Sequence, residues 1–259
     1  MSEKPLSTPL AGRTAIVTGA TSGLGRRFAH LLSAAGASVA LMGRRVDRLE
    51  NEVAAIAAKG GKAVAIALDV AHAGAIAPAF DEAQAALGPL DILINNAGVG
   101  GEGMALDLAI ESFDQTFDVN VRGVYFAAQA AAQRMIEGGA AGRDTARIVN
   151  IASIVGFTPI QGLSAYAGSK AAVLMITQTM AREWARHGIA VNAICPGYIE
   201  TEINADWFKT EGGQKQVKGF PRRRLMDEGA LDETLMLLCG PAARFITGTA
   251  ITVDDGQSL

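Results

Sequence analysis

Arg13-Thr14-Ala15-Ile16-Val17-Thr18 leads without a break into Gly19-Ala20-Thr21-Ser22-Gly23-Leu24-Gly25, and a helical stretch then runs to Ala35 and stops at Gly36. The first six residues form a short β-branched run, which suits a strand. The glycines at 19, 23 and 25 let the backbone turn tightly and come close to a ligand. A helix that opens at such a turn presents unpaired N–H groups and the positive end of its dipole, a cradle for a pyrophosphate. The spacing is G-x-x-x-G-x-G, not G-x-G-x-x-G, but strand–turn–helix is the setting a dinucleotide site needs. Gly19, Thr21, Ser22, Gly23, Leu24 and Gly25 are therefore candidate cofactor contacts.

Outward from this turn the same grammar repeats. Ser38–Met42, Lys62–Leu68, Leu90–Ile94, Arg147–Ile151, Ile189–Cys195 and Ala250–Val253 read as further strands. Between them Val46, Leu49, Val53 and Ile56, and then Ile76, Phe80, Ala83 and Leu87, recur at helical spacing. Glu111 to Glu137 reads as one long or kinked helix. Another begins at Ser164, taken as its cap, and runs to His187; Asp227–Leu238 is also helical. Strands alternating with helices predict parallel βαβ units: an α/β, doubly wound, Rossmann-like sheet with helices on both faces. No linker or repeat interrupts the chain, so residues 1–259 are expected to form a single domain. The polar, poorly periodic segment at about 197–225 reads as an irregular substrate lid, since long loops of this kind are usually functional.

Composition narrows the class. Of 259 residues 49% are apolar and 19% charged, enough for a large closed core, and the net charge of −3 argues against a nucleic-acid partner. Cys195 and Cys239 read as buried thiols rather than a disulfide framework, and His30, His72 and His187 give no metal-ligand spacing, so no metal is expected. The N-terminus lacks the apolar core of a signal peptide, and no apolar run reaches the length of a membrane span. These readings point to a soluble protein of the cytoplasm.

Two clusters carry chemistry. The end of the second strand reads Gly43-Arg44-Arg45, with no acid to meet a ribose 2′-hydroxyl. Arg44 could clamp a 2′-phosphate with its planar fork, which favours NADP(H) over NAD(H); the lesser alternative is that Arg44 and Arg45 are merely solvated residues at a helix entry. Asp69 closes the third strand with Val70 after it, placed either to accept from an adenine amine or to cap a helix. Tyr166 and Lys170, four apart on one helix, lie on the same face. A phenol titrates near 10, and an ammonium one turn away favours the phenolate; bringing it to about 7 needs roughly 4 kcal/mol. Ser153, thirteen residues before Tyr166, adds a hydroxyl beside a substrate oxygen.

Together these residues resemble the short-chain dehydrogenase/reductase family, of single-domain type, over almost the whole chain. Thr18–Gly25 is similar to its cofactor turn, and Asn95-Asn96-Ala97-Gly98 to the N-N-A-G segment that lines the adenosine side. Asn120 matches the family's catalytic asparagine, and Ser153, Tyr166 and Lys170 its serine and Y-x-x-x-K pair. Pro196-Gly197, followed by Ile199 and Thr201, matches the stretch that covers the nicotinamide.

The resemblance implies about seven parallel strands and hydride transfer between NAD(P)(H) and a carbonyl or secondary alcohol. It gives Tyr166 the role of general acid or base and has Lys170 lower its pKa and hold the nicotinamide ribose. Ser153 would bond the substrate oxygen, and Asn120 would hold a relay water. It also implies a homo-oligomer, dimer or tetramer, and a nearest likeness to 3-oxoacyl-thioester reductases.

Three features qualify the match. Asp254-Asp255-Gly256-Gln257 stands where the family has Asp-Gly-Gly, Gly138–Arg143 looks like a small solvent-loop insertion, and Arg222-Arg223-Arg224 could meet an anionic carrier or be a solvated patch. The lid's apolar candidates are Tyr198, Ile203, Trp207 and Phe208, with Gly100–Met104 and Val155–Leu163 as further walls. A non-catalytic dinucleotide sensor or scaffold is the alternative, opposed by the intact Ser153, Tyr166 and Lys170. A sugar-nucleotide epimerase or dehydratase is a third, opposed by the little chain left after the sixth strand.

Overall fold

A computed structural model describes residues 8–101, 103–200 and 205–259. Its sheet is built from β1 (Thr14–Thr18), β2 (Ser38–Gly43), β3 (Ala63–Ala67), β4 (Ile92–Asn95), β5 (Arg147–Ile151), β6 (Ala190–Pro196) and β7 (Ala250–Val253). All seven are parallel, in the order β3-β2-β1-β4-β5-β6-β7. The helices between them are α1 (Gly23–Ala34), α2 (Val46–Ala57), α3 (Ala73–Leu87), α4 (Ile110–Phe117), α5 (Val124–Glu137), α6 (Ala140–Arg143) and α7 (Ser164–Trp184). Past β6 come α8 (Ala205–Lys209), α9 (Glu211–Gly219) and α10 (Asp232–Cys239).

Alternation along each strand sends neighbours to opposite faces, and both faces are covered. Ile16, Met42, Leu93 and Ile148 pack against Phe80 of α3, Ala127 and Ala131 of α5 and Met180 of α7. Val17, Leu41, Ile94 and Val149 pack on the other side against Phe28 and Leu32 of α1, Leu49 of α2 and Leu235 of α10. Each fully buried side chain of this size contributes about 1.5–3 kcal/mol, which is why the strands read as continuous apolar runs.

The long or kinked helix expected from 111 to 137 runs without a break from Ile110 to Glu137, with a π-helical turn, Asp118–Gly123, between α4 and α5. Asn120 lies in that turn and bonds the main chain of Val99, while Gly123 sits so close to Val70 that a Cβ would stand 3.0 Å from it. Widening of this kind marks functional positions in many helices.

Three expectations are corrected. Ser164 is the first residue of α7, and Leu163 holds the N-cap position without a side-chain cap bond. Gly138–Arg143 is not a solvent loop: Ala140 is buried, and Arg143 reaches the buried Asp91 at 2.8 Å, tying the insertion to the sheet end away from the glycine turn. The lid is not irregular, because α8 and α9 lie within it. Thr210 caps α9, its Oγ1 accepting from Gly213 N at 3.1 Å. Three glycines in so short a helix hide its periodicity.

Candidate active site

The strand order reverses direction between β1 and β4, so the loops after these two strands part and leave a crevice at their carboxyl ends. Thr18 Oγ1 closes its floor by accepting from Asn96 N and Ala97 N, both at 3.1 Å. Asn96 Nδ2 donates to Thr18 O at 3.1 Å and Gly19 O at 3.2 Å. Gly19 has φ +68, and α1 begins at Gly23 with Ser22 at its N-cap making no side-chain cap bond, so the first-turn amides keep their capacity for an anion. Both arginines are exposed, and Arg45 leans over this end, Nη2 donating to Thr21 Oγ1 at 2.6 Å and Ser22 Oγ at 3.0 Å. An uncapped helix terminus with a guanidinium beside it fits a dinucleotide diphosphate. The sequence singled out Arg44; the structure sets Arg45 nearer the turn.

Gly25 is fixed by packing. A methyl there would stand 2.3 Å from Gly19 O and 2.4 Å from Asn96 Nδ2. Gly25→Ala is expected to lower the unfolding free energy by about 1–3 kcal/mol in urea titrations and to weaken dinucleotide binding. Unchanged stability would show that the turn can yield.

Leu24 packs part-buried against the second core cluster. Asp69, just past β3, accepts from Ala71 N at 3.1 Å, and Val70 is buried against Gly123. Pro196 ends β6, and Gly197 N donates to Val253 O at 3.0 Å. Ile199 turns its side chain into the core. Thr201 and the lid residue Ile203 lie outside the described residues, as does Glu102 in the Gly100–Met104 wall.

Ser153 follows β5, and Tyr166 and Lys170 project from α7 toward it. Lys170 Nζ is buried, donates to Ile151 O at 2.8 Å, and lies 5.6 Å from the centroid of the Tyr166 ring. No carboxylate pairs with it among the described residues. Burial accordingly pushes the ammonium down to about 8. The expected lowering of the Tyr166 phenol is not found in the free protein. Burial raises its pKa, the hydrogen bond with Ser153 opposes the rise, and neighbouring Tyr198 adds to it. Desolvation is the largest cause, and the Lys170 Nζ is turned to a main-chain carbonyl. The phenol is therefore protonated at neutral pH.

Asn120 is fully buried. Its Oδ1 accepts from Val99 N at 2.9 Å, and Nδ2 donates to Val99 O at 2.9 Å and Ser169 Oγ at 3.1 Å. Both amide hydrogens are thus committed, so a water can be held only at the second lone pair of Oδ1 or by the main chain. Gly98 touches the same group: a Cβ there would stand 3.4 Å from Asn120 Oδ1 and 3.7 Å from Lys170 Nζ.

Sequence reasoning missed Ser169, whose Oγ donates to Tyr166 O at 2.7 Å and so links Asn120 to the tyrosine's turn. It also missed the buried chain Asn95 Nδ2 to Asn150 Oδ1 at 2.9 Å and Asn150 Nδ2 to Thr177 Oγ1 at 2.9 Å. An asparagine inside each of two apolar strands was the available signal, since buried amides need partners.

Tyr198 stacks on Phe220, with ring centroids 5.2 Å apart, and meets Phe208 edge-on at 6.0 Å. Phe208 and Phe220 are buried, so they pin the lid, whereas Trp207 is 52% exposed. The walls meet where Gly103 N donates to Gly162 O at 2.9 Å.

A family model described as short chain dehydrogenase matches residues 13–212. Oxidoreductase UcpA of Salmonella typhimurium is 33% identical over 258 residues, which covers 96% of either chain. The 3-oxoacyl-(acyl-carrier-protein) reductase FabG of Aquifex aeolicus is 33% identical, covering 96% of this chain and 98% of its own. A solved short chain dehydrogenase from Burkholderia cenocepacia, in complex with NADP, has a TM-score of 0.87 at 34% identity, covering 97% of this chain and 100% of that one.

Proposed function

The chain belongs to the short-chain dehydrogenase family, and on that premise we propose that it is an NADPH-preferring reductase of a ketone, Tyr166 acting as general acid. The observation that carries this reading is the half-buried Tyr166 phenol beside Ser153, with the buried Lys170 ammonium 5.6 Å from its ring and without an acidic partner among the described residues. Ser153 donates a hydrogen bond to the substrate oxygen, and Tyr166 delivers the proton to that oxygen as negative charge develops. When bound, the nicotinamide supplies the hydride in reduction and accepts it in alcohol oxidation. Lys170 keeps two donors beyond Ile151 O, suited to ribose hydroxyls, and its charge favours the phenolate left after proton transfer. Asn120 anchors the loop after β4 and, through Oδ1 or its main chain, holds a water between Lys170 and solvent. Gly19–Gly25, Asn96–Gly98 and Pro196–Gly197 hold the dinucleotide, Asp69 and Val70 its adenine end, with Ile199 and Thr201 near the nicotinamide.

The likeness to the 3-oxoacyl-(acyl-carrier-protein) reductase FabG supports a 3-oxoacyl thioester as the first ketone to try, and the NADP in the Burkholderia complex supports NADP(H). Exposed Tyr125 and Phe126 on α5 and Met175 on α7 support a homo-oligomer, dimer or tetramer. No helix among the described residues is long and apolar enough to cross a membrane. The free, buried Cys195 and Cys239 suit a cytoplasmic protein, and chain 1–259 is read as one domain with its lid at 197–225.

Initial rates of NADPH and NADH oxidation with a short 3-oxoacyl thioester and other ketones test the reading. Wild-type protein is expected to prefer NADPH. Arg44→Ala and Arg45→Ala are each expected to reduce that preference about tenfold, the worth of one charge-assisted hydrogen bond. A wild-type preference for NADH would overturn the arginine argument and leave the acid–base one standing.

A further inference from the structure

The carboxyl-terminal turn departs from the family pattern, and its side chains have specific partners. Asp255 stands in the Asp254-Asp255-Gly256 run where the pattern has a glycine, and it keeps a glycine-like backbone with φ 54. A left-handed conformation is unfavourable for a residue with a side chain, so some compensation is expected there. Asp255 has it: Oδ1 accepts from Arg222 at 2.6 Å and Oδ2 from Arg224 at 2.8 Å. The aspartate is 14% exposed although its two partners are 61% and 58% exposed.

Gln257 works beside it on the main chain. Its Oε1 accepts from Tyr198 N at 2.6 Å, and its Nε2 donates to Arg224 O at 3.2 Å. Gln257 thus continues, with a side chain, the ladder that ends where Gly197 N meets Val253 O. The returning end of the lid closes on the same residue, since Met226 N donates to Tyr198 O at 3.0 Å and Ile199 bridges Met226. Gly197 admits the turn: a Cβ there would stand 2.4 Å from Gln257 Oε1.

We propose that Asp255 and Gln257 are positioning residues for substrate binding, together fixing Tyr198 and the returning lid segment 222–226 beside Ser153 and Tyr166. Two of the three consecutive arginines are then part of this anchor, not a free cationic patch for a carrier. The proposal rests on the lid covering the substrate in the reaction proposed above.

Asp255→Gly is the informative variant, because glycine accepts the left-handed backbone, so the clamp is removed without adding backbone strain. Asp255→Asn also tolerates that backbone and separates charge from hydrogen bonding. Hydrogen exchange of residues 205–226 is read in the free protein, and KM, kcat and NADPH affinity are read with the ketone. Asp255→Gly is expected to speed exchange across 205–226 by about tenfold with an unchanged unfolding midpoint, as for a local opening. KM for the ketone should rise severalfold while kcat and NADPH affinity stay within about twofold, a split that loss of uniform binding produces. Asp255→Asn should fall between, and about 1 M salt should loosen the wild type but not Asp255→Gly, because exposed ion pairs are screened. Gln257→Gly should speed exchange in the same segment. Unchanged lid exchange in both Asp255→Gly and Gln257→Gly would overturn the proposal. Faster exchange with an unaltered KM would keep the anchor and overturn the assignment of the lid to substrate.

Discussion

Replacing Tyr166 by Phe is expected to lower kcat for ketone reduction by about 10²–10⁴-fold while NADPH affinity changes little. The ring keeps its place on α7, so packing and the Lys170 contact survive; what is lost is the phenolic O–H beside Ser153. Its neighbours cannot replace it. The Lys170 ammonium is turned to Ile151 O, and an alcohol such as Ser153 is far too weak an acid. Ser153→Ala should act through the same pair: it removes the bond that opposes burial, so the phenol's pKa rises further from its ordinary value. Initial rates set beside dinucleotide titrations check both variants. Undiminished turnover in Tyr166→Phe would remove the tyrosine from the chemistry, whatever the fate of the cofactor argument.

Lys170→Met should separate function from stability. Activity is expected to fall by at least about 10²-fold, because the charge that stabilises the phenolate and the donors for the ribose go together. The free protein, in contrast, loses a costly group. Shifting an ammonium from 10.5 to about 8 corresponds to about 3 kcal/mol of disfavoured charge in the fold. The unpaired Ile151 carbonyl left behind takes back about 1–3 kcal/mol of that relief, so the net change at neutral pH is small.

The pH dependence is the clearer reading. Between about 8 and 10.5 the unfolded lysine holds its proton and the folded one does not, so wild-type stability rises with pH in that window. The rise relative to Lys170→Met should be about 2 kcal/mol between pH 7 and 9.5, measured by urea unfolding at each pH. Parallel stability curves for the two proteins would show that the lysine is not desolvated as the structure has it.

The strand at 147–151 and the glycine turn could be read from the chain because their signals are local. Runs of β-branched residues have one economical use in a sheet covered on both faces, and glycines between strand and helix have few structural reasons to be there. The spacing of Tyr166 and Lys170 was local too, since helix geometry alone sets both side chains on one face. Order in the chain and the glycine motif thus determined the sheet and the crevice, while Asn120 became a candidate only through the family resemblance.

Tertiary structure decided what those residues face. Only the fold brings Val99 against Asn120 and opens α4 into a π-helical turn, because the amide's partners lie 21 residues away in sequence. Only burial shows that the Tyr166 phenol rises in the free protein, since desolvation depends on everything packed around it. Gln257 reaches Tyr198 across 59 residues, and Asp255 reaches Arg222 across 33, so neither contact leaves a mark in local spacing. Periodicity records the preferences of neighbours along a chain, whereas a pKa, a π-turn or a lid anchor is set by groups that meet only once the sheet has formed.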